Sequence, residues 1–222
     1  MFTALYRRFN NFRVNALYDL LETSPLEYSS EWITDLLVTD ENITMDYYRT
    51  IRSIELFYDN SSEEETPEVL SKAYKASCMF SKSGNYAVIY GSKAACSNLE
   101  RYLEKEAHIS FYSYRVELKG ILNKISSKQY QIKKIEYYNV EFFNVVLSAL
   151  TLEFKTNLDA QQTLKKIPTS PSKTSIEIYY NGGWYTLNFD LINNSVKLIY
   201  DSLKSTNIDN VRELIFSFFE GE

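Results

Sequence analysis

Two Glu-x-Lys triplets are the first residues in this chain that suggest chemistry: Glu117 with Lys119 in VELK, and Glu153 with Lys155 in LEFK. On a strand, residues two apart share a face. A carboxylate there can help hold a divalent cation while the lysine sits beside an attacking water.

LEFK is followed by NLDAQQTLKKI, a short helical pattern that carries Gln161 and Gln162. That order of elements resembles the restriction-type nucleases. The resemblance covers a short stretch and implies metal-dependent cleavage, with Glu153 and Lys155 catalytic. It also implies an upstream acid, usually Asp. No Asp occurs between Asp59 and Asp159, so Glu136 or Glu141 has to stand in. With 20 Glu and 16 Lys in 222 residues, chance alone supplies about one or two such triplets.

Other catalytic patterns are thinner. His108 is the single histidine, at an expected helix-to-strand junction where a cation suits the negative end of the helix dipole. Cys78 and Cys96 lie 18 apart, which matches neither a zinc spacing nor a disulfide framework. No metal and no cofactor are expected. The thiols predict a reducing, cytoplasmic setting. YAVIYGSKAACSNLERYLE has one glycine and no Gly-Lys-Ser/Thr series. It reads as a strand, a turn at Gly91 and a helix capped by Ser92, rather than as a phosphate loop.

A local charge excess carries more weight. From Arg115 to Lys134 there are six bases (Arg115, Lys119, Lys124, Lys128, Lys133, Lys134) and one acid, Glu117. Tyr112, Tyr114, Tyr130, Tyr137 and Tyr138 flank and interleave with them. Lysines neutralise phosphates and aromatic faces stack bases. A solvated sheet surface with snorkelling lysines has the same composition. Two further groups suit protein contact. Tyr180 and Trp184 flank the turn in YYNGGWY, and Phe216 and Phe219 belong to an apolar C-terminal helix that must dock on the sheet or on a second subunit.

The elements that must position these residues divide in two. Residues 1–82 read as helical. The first helix places Phe2, Leu5, Phe9, Phe12, Ala16 and Leu20 on one face, and its arginine-rich start also resembles a transit peptide. Further helices are expected from Ser30, from Thr44 with Tyr48, Ile51 and Ile54 aligned, and from Thr66-Pro67 after an acidic loop, DNSSEEET. Residues 83–222 read as strands with interspersed helices, including a hairpin turning at Asn181-Gly182. The expected fold is therefore α+β: an N-terminal helical section followed by a mixed or mainly antiparallel sheet with two or three packed helices.

Charge divides along the same line. Residues 1–82 hold 8 basic and 14 acidic residues, and residues 83–222 hold 16 and 15. No apolar run is long enough to span a membrane as a helix. Asn, Ile, Lys and Tyr are abundant, as in AT-rich genomes, and a mobile-element or phage-conflict context fits that bias.

These observations lead to a non-enzymatic interaction or regulatory protein within a larger assembly, with a protein partner or a homo-oligomer and no membrane. A nucleic-acid binder using residues 112–138 is the first alternative, and a Glu-x-Lys nuclease the second. The nucleic-acid reading predicts binding that weakens with added salt and is lost in Lys133→Glu/Lys134→Glu. Flat titrations at low salt would end it.

Overall fold

The computed structural model describes residues 2–23, 30–59, 64–142, 144–199 and 208–218. In chain order these form β1 (Phe2–Asn10), α1 (Val14–Thr23), β2 (Glu31–Val38), β3 (Asn42–Asp59), β4 (Glu64–Ser81) and β5 (Tyr86–Gly91). There follow α2 (Lys93–Glu106), β6 (Ser110–Ser113), α3 (Leu118–Ile125), β7 (Tyr130–Phe142) and β8 (Val145–Glu153). The last elements are α4 (Asn157–Lys166), β9 (Lys173–Tyr180), β10 (Gly183–Asp190), β11 (Ser195–Ile199) and α5 (Ile208–Ser217).

The chain divides into two compact units, one of Met1–Arg8 with Tyr112–Glu222 and one of Phe9–Phe111. In the second, the strand order is β2-β3-β4-β5, antiparallel throughout. In the first it is β1-β11-β10-β9-β7-β8, also antiparallel.

The expected N-terminal helical section is corrected by these strands. Among the described residues only α1 of its four helices is present, and β1, β2, β3 and β4 occupy most of the rest. The reason lies in which period is buried. Ile43, Met45 and Tyr47 are buried in alternation, as are Ala76, Cys78 and Phe80, which is the period of a strand with one face inward. The helix-like spacing of Tyr48, Ile51 and Ile54 buries nothing comparable, since Ile51 and Ile54 are exposed. Dense β-branched residues also favour the extended form.

The Thr66-Pro67 start signal sits inside β4. Thr50 donates its N–H to the Ser30 carbonyl at 2.8 Å, so even positions of β3 turn their peptide groups away from β4. Pro67 is paired with Leu56, at a position where β4 owes β3 no hydrogen bond, and the ring is tolerated there.

In the unit of Phe9–Phe111, α2 buries Ala95, Cys96, Leu99, Tyr102 and Leu103. Glu31 accepts from Arg49 at 3.1 Å and from Arg101 at 3.0 Å, and Arg49 also donates to Asn98 at 2.7 Å. The helix is thereby tied to β2 and β3. Phe9, Phe12, Phe80 and Phe111 form an aromatic cluster with centroids 4.8–6.2 Å apart.

The strand-to-helix passage at Gly91 is settled by packing. Ser92 caps α2, its Oγ accepting from the Ala95 N–H at 3.2 Å, so the helix start is already supplied with an acceptor. Gly91 pairs with Ala76 at φ +157°, and a Cβ there would lie 3.0 Å from the Lys75 carbonyl oxygen. Its glycine serves close approach of two strands. Gly91→Ala is expected to cost about 1–3 kcal/mol through local overpacking, read as a lowered urea midpoint; an unchanged midpoint would contradict this packing.

Candidate functional site

Within the unit of Met1–Arg8 and Tyr112–Glu222 lies a cleft of about 670 Å³ lined from α3 and α4. Both helices form for local reasons. In α3, Leu118, Ile121 and Ile125 share one buried face, and the Ser126 hydroxyl donates to the Asn123 carbonyl at 2.7 Å as the helix ends. In α4, Thr156 is the N-cap, accepting from the Asp159 N–H at 3.2 Å, with Lys165 and Lys166 in the last turn.

Two asparagines pin the cleft walls. Asn157 is a clamp: its Nδ2 donates to the Tyr130 carbonyl (2.8 Å) and its Oδ1 accepts from the Ile132 N–H (2.7 Å). It holds α4 on β7 just before the bulge at Lys133. Asn194 sits at φ 50° and is buried. Its Oδ1 accepts from the Val116 N–H at 3.1 Å, and its carbonyl accepts from the Tyr6 N–H at 3.1 Å. The segment leading into α3 is thus fixed to β1 and to the β10–β11 turn. Asparagine enters the left-handed region more readily than most residues, and five of the seven positive-φ non-glycine residues described are Asn.

The cleft has an apolar floor and a basic rim. Val116, Leu118, Leu122, Tyr130, Leu164 and Leu191 supply its apolar lining, and Arg115, Lys119, Lys165 and the acid Glu117 its charged lining. Arg115 faces Glu117 at 3.8 Å, both well exposed, a pairing worth little in water. Lys119 and Lys165 form no ion pair among the described residues. The site is therefore net positive beside apolar surface.

Of the six bases singled out by spacing, only Arg115 and Lys119 reach this cleft, joined by Tyr130. Lys124 is half-buried on α3. Lys128 lies over the Tyr180 ring at 4.6 Å. Lys133 pairs with Glu177 at 2.9 Å and Lys134 with Glu136 at 2.6 Å. The Lys134 hydrogen bond holds the Glu136 carboxyl below its ordinary range and raises the lysine in turn.

Of the two acids that could stand upstream of Glu153, Glu136 lies opposite Thr151, two positions along β7 from the Lys134–Glu153 pair, and Glu141 lies far from it. Glu153 lies opposite Lys134 in the ladder, whereas Glu141 lies opposite Val146 at the far end of β7. Seven positions of strand, roughly 23 Å, keep Glu141 from serving with Glu153. Lys155 is exposed, and its carbonyl accepts from Gln131 at 2.7 Å. Gln161 lines the cleft instead. Among the described residues no group of three His, Cys, Asp or Glu side chains is placed to hold a cation.

Trp184 is exposed and packs on Tyr179 with centroids 5.5 Å apart. Phe216 is buried, so it serves the core of its own unit. Phe219 lies outside the described residues, as do positions 60–63 of the acidic loop. His108 adopts φ 56° just after α2, and the next N–H, of Ile109, reaches the Leu103 carbonyl at 3.2 Å. Its place is that of a helix-terminating residue, at the edge of a second hollow of about 600 Å³ with Asn11, Arg13, Asp19 and Glu106.

Sequence reasoning missed Lys165, Leu164 and Asn194. An Asn-Asn pair in the turn LINNSV was the available signal for the last. No family model matches this chain, and no curated protein matches it.

Asn194→Ala leaves the Val116 N–H without its acceptor and is expected to lower stability by about 1–3 kcal/mol. The hydroxyl of Tyr137, fully buried on β7, has no hydrogen-bond partner among the described residues, and burial raises its pKa. Tyr137→Phe removes that desolvated group and is expected to leave stability equal or higher. Urea unfolding of both variants checks the pair, and a destabilised Tyr137→Phe would reveal a missing partner.

Proposed function

We propose that this protein is a non-enzymatic interaction module, and that the cleft between α3 and α4 receives a partner-protein segment with an apolar side chain beside a carboxylate. The observation that carries this reading is an apolar lining beside Arg115, Lys119 and Lys165, with Glu117 the one acid among the lining residues and 3.8 Å from Arg115. Burial of the apolar side chain supplies affinity at roughly 25 cal/mol per Å² before ordering costs. Rim cations steer an acidic segment in and reject basic ones.

The cleft volume of about 670 Å³ suits one or two large side chains rather than a whole folded surface. Helices tied to a sheet by asparagine amides make its walls preformed, which lowers the cost of binding. The nucleic-acid alternative has less support, because Lys133 and Lys134 are engaged by Glu177 and Glu136. A reducing, cytoplasmic setting fits the two free, buried thiols Cys78 and Cys96. No helix among the described residues is long and apolar enough to cross a membrane.

The test is a fluorescence-anisotropy titration with a labelled peptide alternating Glu with Leu and Phe. Binding is expected at low salt and should weaken as salt rises. Lys119→Glu/Lys165→Glu should raise Kd about tenfold or more, about 1.4 kcal/mol. A peptide with Lys in place of Glu should not bind. Equal binding by wild type and the reversed variant, or none by wild type, would sink the reading.

A further inference from the structure

The sheet of the unit Met1–Arg8 with Tyr112–Glu222 ends at β8, whose one partner among the described residues is β7. Residues 144–199 are described without a break, and none of them pairs with the outer side of β8. Exposure of the side chains shows that this edge lies open. Val145 is 56% exposed and Val146 73%. Ser148 and Ala149 are exposed as well. Adjacent residues on a strand point to opposite faces, so β8 meets water on both sides.

Its composition is the reverse of a protected edge. Native edge strands are blunted with lysines, prolines or bulges. From Val145 to Leu152 there is no charge, no proline and no glycine. The charges sit one strand inward, where β7 carries Lys133, Lys134, Glu136 and Glu141. Glu153 alone closes β8. The core also runs out here. Leu147, Leu150 and Leu152 pack against the cluster of Ile132, Ile135, Tyr137 and Val140, yet each is only partly buried. A bare apolar strip of this kind is a template for another strand.

We infer that β8 pairs antiparallel with β8 of a second copy of this chain, across a two-fold axis normal to the sheet, so that the two sheets become one. Charge matching names the occupant. An edge without charge has nothing to steer or hold an acidic or basic segment. It suits a strand that is itself neutral, apolar and open along one side, and β8 of a second copy is such a strand. No like charges meet along Val145–Leu152, and the two Glu153 residues fall at opposite ends of the joint. The partly buried leucines of each copy then continue the row of the other. One patch serves both copies, so the contact closes at two. The inference goes beyond the cleft reading and uses none of the cleft's lining residues.

Sedimentation velocity on the full chain, with hydrogen exchange on the same samples, tests this. The mass should approach twice the 26.0 kDa chain as concentration rises. Added salt should not reverse it, since no ion pair holds the joint. Val146→Lys/Ala149→Lys brings like charges together there and should weaken association about tenfold or more. Both positions are exposed in the single chain, and circular dichroism checks that the variant folds. The β8 amides that point away from β7 should exchange more slowly at high concentration than at low, a readout that needs no variant and decides alone if the variant does not fold. Lys119→Glu/Lys165→Glu should leave the dimer intact, which separates this inference from the cleft reading.

A chain that stays monomeric, a mass that grows past two copies, or a folded lysine variant that still dimerises would overturn the inference. So would a dimer dispersed by salt or by the cleft reversal, or β8 amides whose exchange ignores concentration. Capture of a foreign strand at β8 by a chain that stays monomeric would overturn it too.

Discussion

Pairing of backbone N–H and C=O groups along antiparallel strands is what this molecule is built around. In the unit that holds the cleft, β7 is paired on both edges, with β8 and with β9. Its core side chains Ile132, Ile135, Tyr137 and Val140 are fully buried with Ala160 and Ile167 beneath α4. Where the ladder is interrupted, side-chain amides take over. Asn157 serves Tyr130 and Ile132 on β7, and Asn194 serves Val116 ahead of α3. The two helices that form the cleft are held by hydrogen bonds that would otherwise have to be made by strands or water.

The same requirement frames the other unit differently. Its four strands satisfy one another only over part of their length, and β3 and β4 run on together after β2 and β5 end. A ribbon of that kind keeps its internal hydrogen bonds, and among the described residues neither of its edges is paired. Acidic composition is one way to keep such edges from random pairing.

Electrostatics here works locally rather than through net charge. The chain's formal charge of −5 conceals an acidic run in one unit and uncompensated lysines in the other. Within the basic stretch itself, neighbours cancel much of the charge. Lys133 and Lys134 meet glutamates across and along the sheet, and Lys128 rests on an aromatic face. What remains at the cleft is small in number and placed beside apolar surface.

Much of the part after Gly84 was legible in the residues, because its signals are local. Asn181 and Gly182 both take positive φ in the β9–β10 turn, and Ser92 caps α2. The N-terminal section was not legible, because Tyr48, Ile51 and Ile54 suit a helix face as well as a strand, and only neighbouring strands decide between the two periods. Aligned charges likewise cannot reveal which lysines have acids opposite them, since register is a property of pairs of distant segments. Composition and turn chemistry thus determined by themselves where the chain bends and which stretches attract opposite charge. Tertiary structure decided which stretches are strands, which cations stay unpaired and where apolar surface lies open beside them, because each of those depends on contacts between residues far apart in sequence.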